Sequence, residues 1–287
     1  MAGVHNFAFG WTSPTLAYVM SFLGSLLGLV LATRAREVEG RSRARWLALA
    51  AVAIGGTGIW LMHFMAMIGF DVPSTVVRYD VPKTLVSAVI AVLIVGIGLF
   101  TVGMGRPQVW KLLVGGPITG LGVAAMHYTG MAAMNMGGVV TYDPTRVVLS
   151  VAIAVVAATV ALWFALVIRG TTATVPAALV MGAAVCGMHY TGMSAVRVEL
   201  ATEPAAIHGV GPFVLLIPII VLACLVITAL AYVTIGLAMR KEDQRADRVA
   251  GRPRVRIPTQ STAQQQTAEL PQLAVDRQLD RYLNRRR

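Results

Sequence analysis

Seven apolar runs, each near the roughly 20 residues an α-helix needs to cross about 30 Å of hydrocarbon, follow one another along the first 240 residues. In lipid every backbone N–H and C=O must be satisfied within the chain, which leaves helices or a closed barrel. The runs lack the alternation of polar and apolar residues that a barrel needs, so helices are expected. With 56% hydrophobic and 13% charged residues, the 287-residue chain is no water-soluble enzyme, nor a periplasmic domain on a single anchor.

The runs predict spans at about Pro14 to Thr33, Trp46 to Phe70, Thr84 to Met104, Leu112 to Met136, Val147 to Ile168, Ala173 to Val196 and Phe213 to Met239. No cationic segment precedes the first run, which is expected to be a retained helix and not a signal peptide. Basic residues favour the cytoplasmic side. They cluster after the first run (Arg34, Arg36, Arg41, Arg43, Arg45), the third (Arg106, Lys111), the fifth (Arg169) and the seventh, while the alternate loops hold only Arg78, Lys83, Arg146 and Arg197. The N-terminus is therefore expected outside and the C-terminus in the cytoplasm, in a plasma membrane. The expected fold is an all-α membrane protein of seven transmembrane helices.

The net charge of +11 divides into +6 for residues 240–287 and +5 for residues 1–239. Neither value calls for nucleic acid. The polar, low-complexity tail 240–287 is expected to be disordered and cytoplasmic, apart from the membrane domain 1–239. Cys186 and Cys224 lie within apolar runs, which argues against a disulfide scaffold or a zinc ribbon, and Cys224 is expected to be core.

One pattern occurs three times: Met62-His63-Phe64-Met65-Ala66-Met67, Met126-His127-Tyr128-Thr129-Gly130-Met131 and Met188-His189-Tyr190-Thr191-Gly192-Met193. The histidines are 64 and 62 residues apart, the length of one helix pair with its loops. The even helices therefore carry equivalent sites, in three tandem two-helix repeats plus a seventh helix. Seven residues before each histidine stands a glycine: Gly56, Gly120 and Gly182. Glycine, histidine and the methionine four residues on fall within about 40° on one helix face. The glycines are expected to admit a neighbouring helix. Small residues also recur three after each histidine, at Ala66, Gly130 and Gly192.

An imidazole facing lipid is costly, so all three histidines are expected to face the bundle axis. His63, His127 and His189 with Met67, Met131 and Met193 then form a metal-ligand set. Imidazole with thioether favours copper over zinc, and the lack of carboxylates disfavours non-haem iron or manganese. The site is expected in the outer leaflet, and His5 and His208 also fall on or near that side. The alternative is that histidine, tyrosine and threonine only tie helices together by hydrogen bonds. Cys186, three residues before His189, has Trp60 and Ala124 at its equivalent positions, and core packing is the favoured reading. No nucleophile with a nearby base and no phosphate-binding glycine loop appears, so no enzyme is expected. Asp71, Asp80, Asp143, Glu199 and Glu203 are expected to be solvated in outer loops.

The threefold M-H-Y-T pattern on alternate helices resembles the MHYT family of bacterial integral membrane sensors, over roughly Pro14 to Met239. The resemblance implies seven helices, motifs near the outer face, and sensing of oxygen, carbon monoxide or nitric oxide through copper at the six residues named above. Tyr128 and Tyr190 would belong to the motif, from which Phe64 departs. Many members join this domain to cyclic-di-nucleotide enzymes or histidine kinases. Residues 240–287 resemble neither, so a separate cytoplasmic signalling partner is expected. A copper transporter and a haem protein remain alternatives.

Overall fold

The computed structural model describes residues 5–236, apart from 74, 107, 201–206, 216, 222, 223, 226, 230, 233 and 234. Among the described residues six helices are long and apolar enough to cross a membrane, and they make this a multi-pass membrane protein. They are α1 (Thr12–Arg36), α2 (Gly40–Met67), α3 (Val81–Gly103), α4 (Val109–Ala132), α5 (Pro144–Val167) and α6 (Thr171–Ser194). A shorter apolar helix, Pro212–Val221, stands where the seventh span is expected. The end of that span and the tail 240–287 lie outside the described residues. Cys224, expected in the core, is exposed. A small thiol has little to lose by facing an apolar surrounding, so an apolar run does not tell core from surface.

The helix boundaries follow from capping. Asp80 and Asp143, each followed within two residues by proline, cap α3 and α5: Asp80 Oδ1 accepts from Lys83 N at 3.0 Å, and Asp143 Oδ1 from Thr145 N at 3.1 Å. The Arg146 backbone N–H, with the Arg197 guanidinium beside it, holds the Asp143 carboxyl below its ordinary range. At the opposite end basic side chains cover helix carbonyls. Arg36 donates to Ala165 O and Ile168 O, Arg43 to Ala35 O and Val38 O, and Lys111 to Met104 O at 2.7 Å. Arg41, Arg43 and Arg45 stand on the first turns of α2 and not in a loop, because long arginine stems let a helix run past the apolar layer.

The helices close a ring in which each packs on the next and α6 returns to α1. Glycine sets the close approaches. A Cβ on Gly120 would lie 2.4 Å from Val155 Cα of α5, and one on Gly182 3.3 Å from Phe22 N of α1. The first repeat departs from expectation. A Cβ on Gly56 would meet only Val92 Cγ2 at 3.7 Å, whereas one on Gly55 would lie 2.6 Å from Ala91 O of α3. The cause is a π-helical stretch, Val52–Leu61, within α2. Its wider turn takes more residues than an α-turn and moves the contact back by one position.

Short strands, absent from the all-α expectation, join the helix ends near the histidines. β1 (Arg78–Tyr79) pairs with β2 (Met134–Asn135), and β3 (Gly138–Tyr142) with β4 (Val196–Leu200), both antiparallel. His5 bridges to Asp71 in the same way. Within each repeat the entry to the odd helix donates to the residue six beyond the histidine: Ala8 N to Gly69 O at 2.9 Å, Asp80 N to Ala133 O at 2.8 Å, and Asp143 N to Ala195 O at 2.9 Å. These bonds satisfy backbone groups at the helix exits and hold each helix pair as one unit.

Gly55→Ala is expected to destabilise the detergent-solubilised chain by about 1–3 kcal/mol through overpacking against α3, whereas Gly56→Ala is neutral or slightly stabilising. Thermal unfolding midpoints of the two variants check this; equal losses would refute the register shift.

Candidate metal centre

The even helices α2, α4 and α6 deliver His63, His127 and His189, each 1% exposed, to one point near the strand-bearing end. The three rings stand at centroid separations of 5.0, 5.0 and 5.1 Å, mutually edge-on at 80° to 88°. This is close to threefold symmetry, as the 64- and 62-residue spacings imply. His63 Nδ1 lies 3.0 Å from His189 Nδ1 and 3.2 Å from His127 Nδ1. Among the described residues this is the group of His, Cys, Asp or Glu side chains close enough to share an ion, with donor atoms within 4.8 Å of one another. Cys186 is outside it.

Neutral imidazole carries one N–H and one lone pair. His63 Nδ1 therefore offers one proton or one lone pair to two neighbours, while Nε2 of all three rings is buried without a hydrogen-bond partner. Each unsatisfied buried polar atom costs about 1–3 kcal/mol. A cation would take lone pairs from all three Nδ1 atoms at once. Imidazole nitrogen binds such ions at about 2.0–2.1 Å, so two nitrogens on one tetrahedral ion stand roughly 3.3 Å apart. The observed 3.0 and 3.2 Å fall just inside that spacing, so the rings need to part only slightly to hold an ion. Met67, Met131 and Met193 are all buried, one turn beyond the histidines.

The small residue three after the histidine has a specific task. A Cβ on Gly130 would lie 2.6 Å from His63 Nε2, and one on Gly192 2.5 Å from His127 Nε2. The His63 and His127 imidazoles thus back onto the glycine of the following repeat. Aromatic rings link the repeats in the same cyclic sense. Tyr79 packs on Phe64 at 6.0 Å, Tyr142 on Tyr128 at 5.6 Å, and Phe7 closes the circle on Tyr190 at 5.4 Å. Each motif aromatic in turn stands edge-on to its own histidine, at 4.8, 4.9 and 5.0 Å. Burial raises the Tyr79 and Tyr142 phenols above their ordinary range, so both stay neutral.

Phe64, the departure in the first copy, is compensated. In the second copy the Tyr128 hydroxyl shares a 2.7 Å hydrogen bond with Ser150 Oγ. Ser87, 63 residues earlier, instead accepts from Trp60 Nε1 at 2.9 Å, and the indole packs on Phe64 at 5.1 Å. Tyr190 Oη is buried without a partner. Ser87 with Ser150, and Tyr79 with Tyr142, escaped the reading of the sequence. Their common separation of 63 residues was the available signal.

A family model described as a bacterial signalling protein N-terminal repeat, MHYT, matches residues 56–116, 120–178 and 182–251. The chain belongs to the MHYT family. Each matched unit opens at Gly56, Gly120 or Gly182, so the MHYT repeat runs from an even helix into the following segment. Among curated relatives, the bifunctional diguanylate cyclase/cyclic di-GMP phosphodiesterase MucR of Pseudomonas aeruginosa is 40% identical over 189 residues, 64% of this chain and 27% of its own length. The cyclic di-GMP phosphodiesterase NbdA of the same organism is 33% identical over 198 residues, covering 67% and 25%. The signaling protein YkoW of Bacillus subtilis is 28% identical over 202 residues, covering 67% and 25%. The chain spans about a quarter of the length of these MHYT relatives. No solved structure matches it.

Gly130→Ala is expected to displace the His63 ring and to lower stability by about 1–3 kcal/mol. Gly187→Ala on α6, whose added Cβ meets nothing within 4 Å, is the matched control and is expected to lose nothing. Unfolding midpoints in detergent decide between them.

Proposed function

We propose that this chain is the sensory part of a bacterial signalling system, a receptor and not a catalyst. It lies in the plasma membrane with its N-terminus outside, 1–239 forming the membrane domain and 240–287 a cytoplasmic tail. Copper is held by His63, His127 and His189, with Met67, Met131 and Met193 as thioether partners. The stimulus is a diatomic gas or redox state. The observation that carries this reading is the meeting of three buried imidazoles, Nδ1 toward Nδ1 at 3.0 and 3.2 Å, with no carboxylate among them. Thioethers favour the soft cuprous ion, which is why copper ranks before zinc.

Bound copper supplies an ion that changes oxidation state or takes a small ligand. The protein's own part is to exclude water, orient three rings and register their position. Because His63 and His127 back onto the next repeat, either ring, if it moves, presses on the α4 or α6 backbone at Gly130 or Gly192. A stimulus that favours one ring arrangement thereby shifts the whole bundle, as an allosteric device requires. The names of the relatives support a cytoplasmic partner concerned with cyclic di-GMP turnover. Two readings lose ground. Nitrogens 3.0 Å apart leave no room for a porphyrin between them. Among the described residues no second cluster of ligand side chains continues a path for transported metal.

Elemental analysis of the detergent-purified chain is expected to find copper near one ion per chain, lost in the His63→Ala/His127→Ala/His189→Ala variant, with no haem band in the ultraviolet-visible spectrum. A metal-free parent that resists copper reconstitution would overturn the proposal and leave the repeat as a packing device.

A further inference from the structure

One turn before each histidine, on the same helix face, stand Ile59, Val123 and Val185. The three line a cavity of about 50 Å³ that begins beneath the imidazoles, at Met188, and extends toward the arginine-bearing end. Of its fifteen lining side chains only Ser25 and Thr119 carry a hydroxyl. Thr119 is 4% exposed, and its Oγ1 has no hydrogen-bond partner. A second volume, about 420 Å³ and lined only by apolar side chains, opens between α5 and α6 on the surface of the bundle. Val156 and Val180 on its walls are 63% and 53% exposed. Ala157 and Met181 line both volumes, so a wall of two side chains parts them.

We propose that the two volumes form a route by which a small, uncharged, apolar molecule, a diatomic gas, passes from the bilayer to the imidazole cluster. The chemistry of the lining selects the ligand. An ion or a strongly hydrogen-bonded molecule would leave its hydration for a space with two hydroxyls, at a cost of several kcal/mol. Apolar cavities of this kind stay dry and take xenon or small hydrocarbons. A water-sized sphere needs about 10–15 Å³ by the same measure, so the space admits a molecule of a few atoms and little more. Such gases partition into lipid, which places their supply at the α5–α6 groove. Met181 is the movable part of the wall, because methionine is unbranched and has three rotatable bonds. A gas in the cavity reaches within about one turn, roughly 5 Å, of the rings. The Thr119 hydroxyl, buried without a hydrogen-bond partner, is then a polar neighbour of the gas. This inference rests on the gas-sensing reading for its purpose, while the cavity and its ligand class are tested apart from any metal.

The test uses xenon as probe, with the full chain in lipid nanodiscs and methyl-labelled isoleucine, valine and methionine followed by NMR. Xenon is expected to shift the methyls of Ile59, Val123, Val185 and Met181 saturably, and several-fold more than those of Val86 and Val89 on the exposed face of α3. Ala158→Phe, which fills the cavity, is expected to abolish the axial shifts while the groove methyls of Val156 and Val180 still respond. Met181→Ala is expected to speed the axial exchange. Shifts confined to the groove, or axial shifts that never saturate in the parent, would overturn the route even if Ala158→Phe does not fold. Copper content is measured on the same samples. Saturable axial shifts in a chain that binds no copper would uphold the cavity and sink the metal reading, and a copper-loaded chain without them would do the reverse.

Discussion

The constraint on which this architecture depends is the burial of three imidazoles against one another in an apolar medium. With the three ring centroids about 5 Å apart, no space is left behind His63 and His127 for backbone bearing a Cβ, and Gly130 and Gly192 meet that demand. The even helices must then be held at fixed depth, or the Nδ1 atoms would not meet. Hydrogen bonds six residues beyond each histidine, with the strand pairs beside them, set that depth. The aromatic contacts from each repeat to the one before it, worth about 0.5–1.5 kcal/mol apiece, close the ring against splaying.

Threefold repetition in the sequence becomes threefold geometry with local repairs. The first repeat differs most. Its π-helical turn shifts the close contact with α3 from Gly56 to Gly55, yet His63 still arrives at the axis with its ring in register. Phe64 lacks the phenol of Tyr128, and the serine that would face it is engaged by Trp60 instead. Both repairs preserve the position of the imidazole at the expense of the repeat's sequence identity. The cluster is thereby marked as the part least free to vary in geometry.

Six of the spans and the convergence of the histidines were legible because both rest on short-range regularities, apolar length and a 100° helical step. The convergence of His63, His127 and His189 needed only the added premise that imidazole avoids lipid. Other features were not legible, for separable reasons. The π-helical stretch changes the helical step on which the reading of faces relies, and nothing in Val52–Leu61 announces it. Strand pairing at residues 78–79 and 134–135 joins segments more than fifty positions apart. Which ring nitrogen faces inward depends on side-chain rotamers, which a one-dimensional pattern does not carry. Cys224 was misplaced because apolar composition cannot tell a face turned to neighbouring helices from one turned outward.

Three imidazoles converge on a point that one ion would fill. X-ray absorption at the copper edge of the copper-loaded chain tests that claim most directly. Three nitrogen scatterers at about 2.0 Å, with the outer-shell pattern of imidazole rings, are predicted. A spectrum described by sulfur or oxygen alone, without imidazole, would contradict it and return the histidines to a role in helix packing.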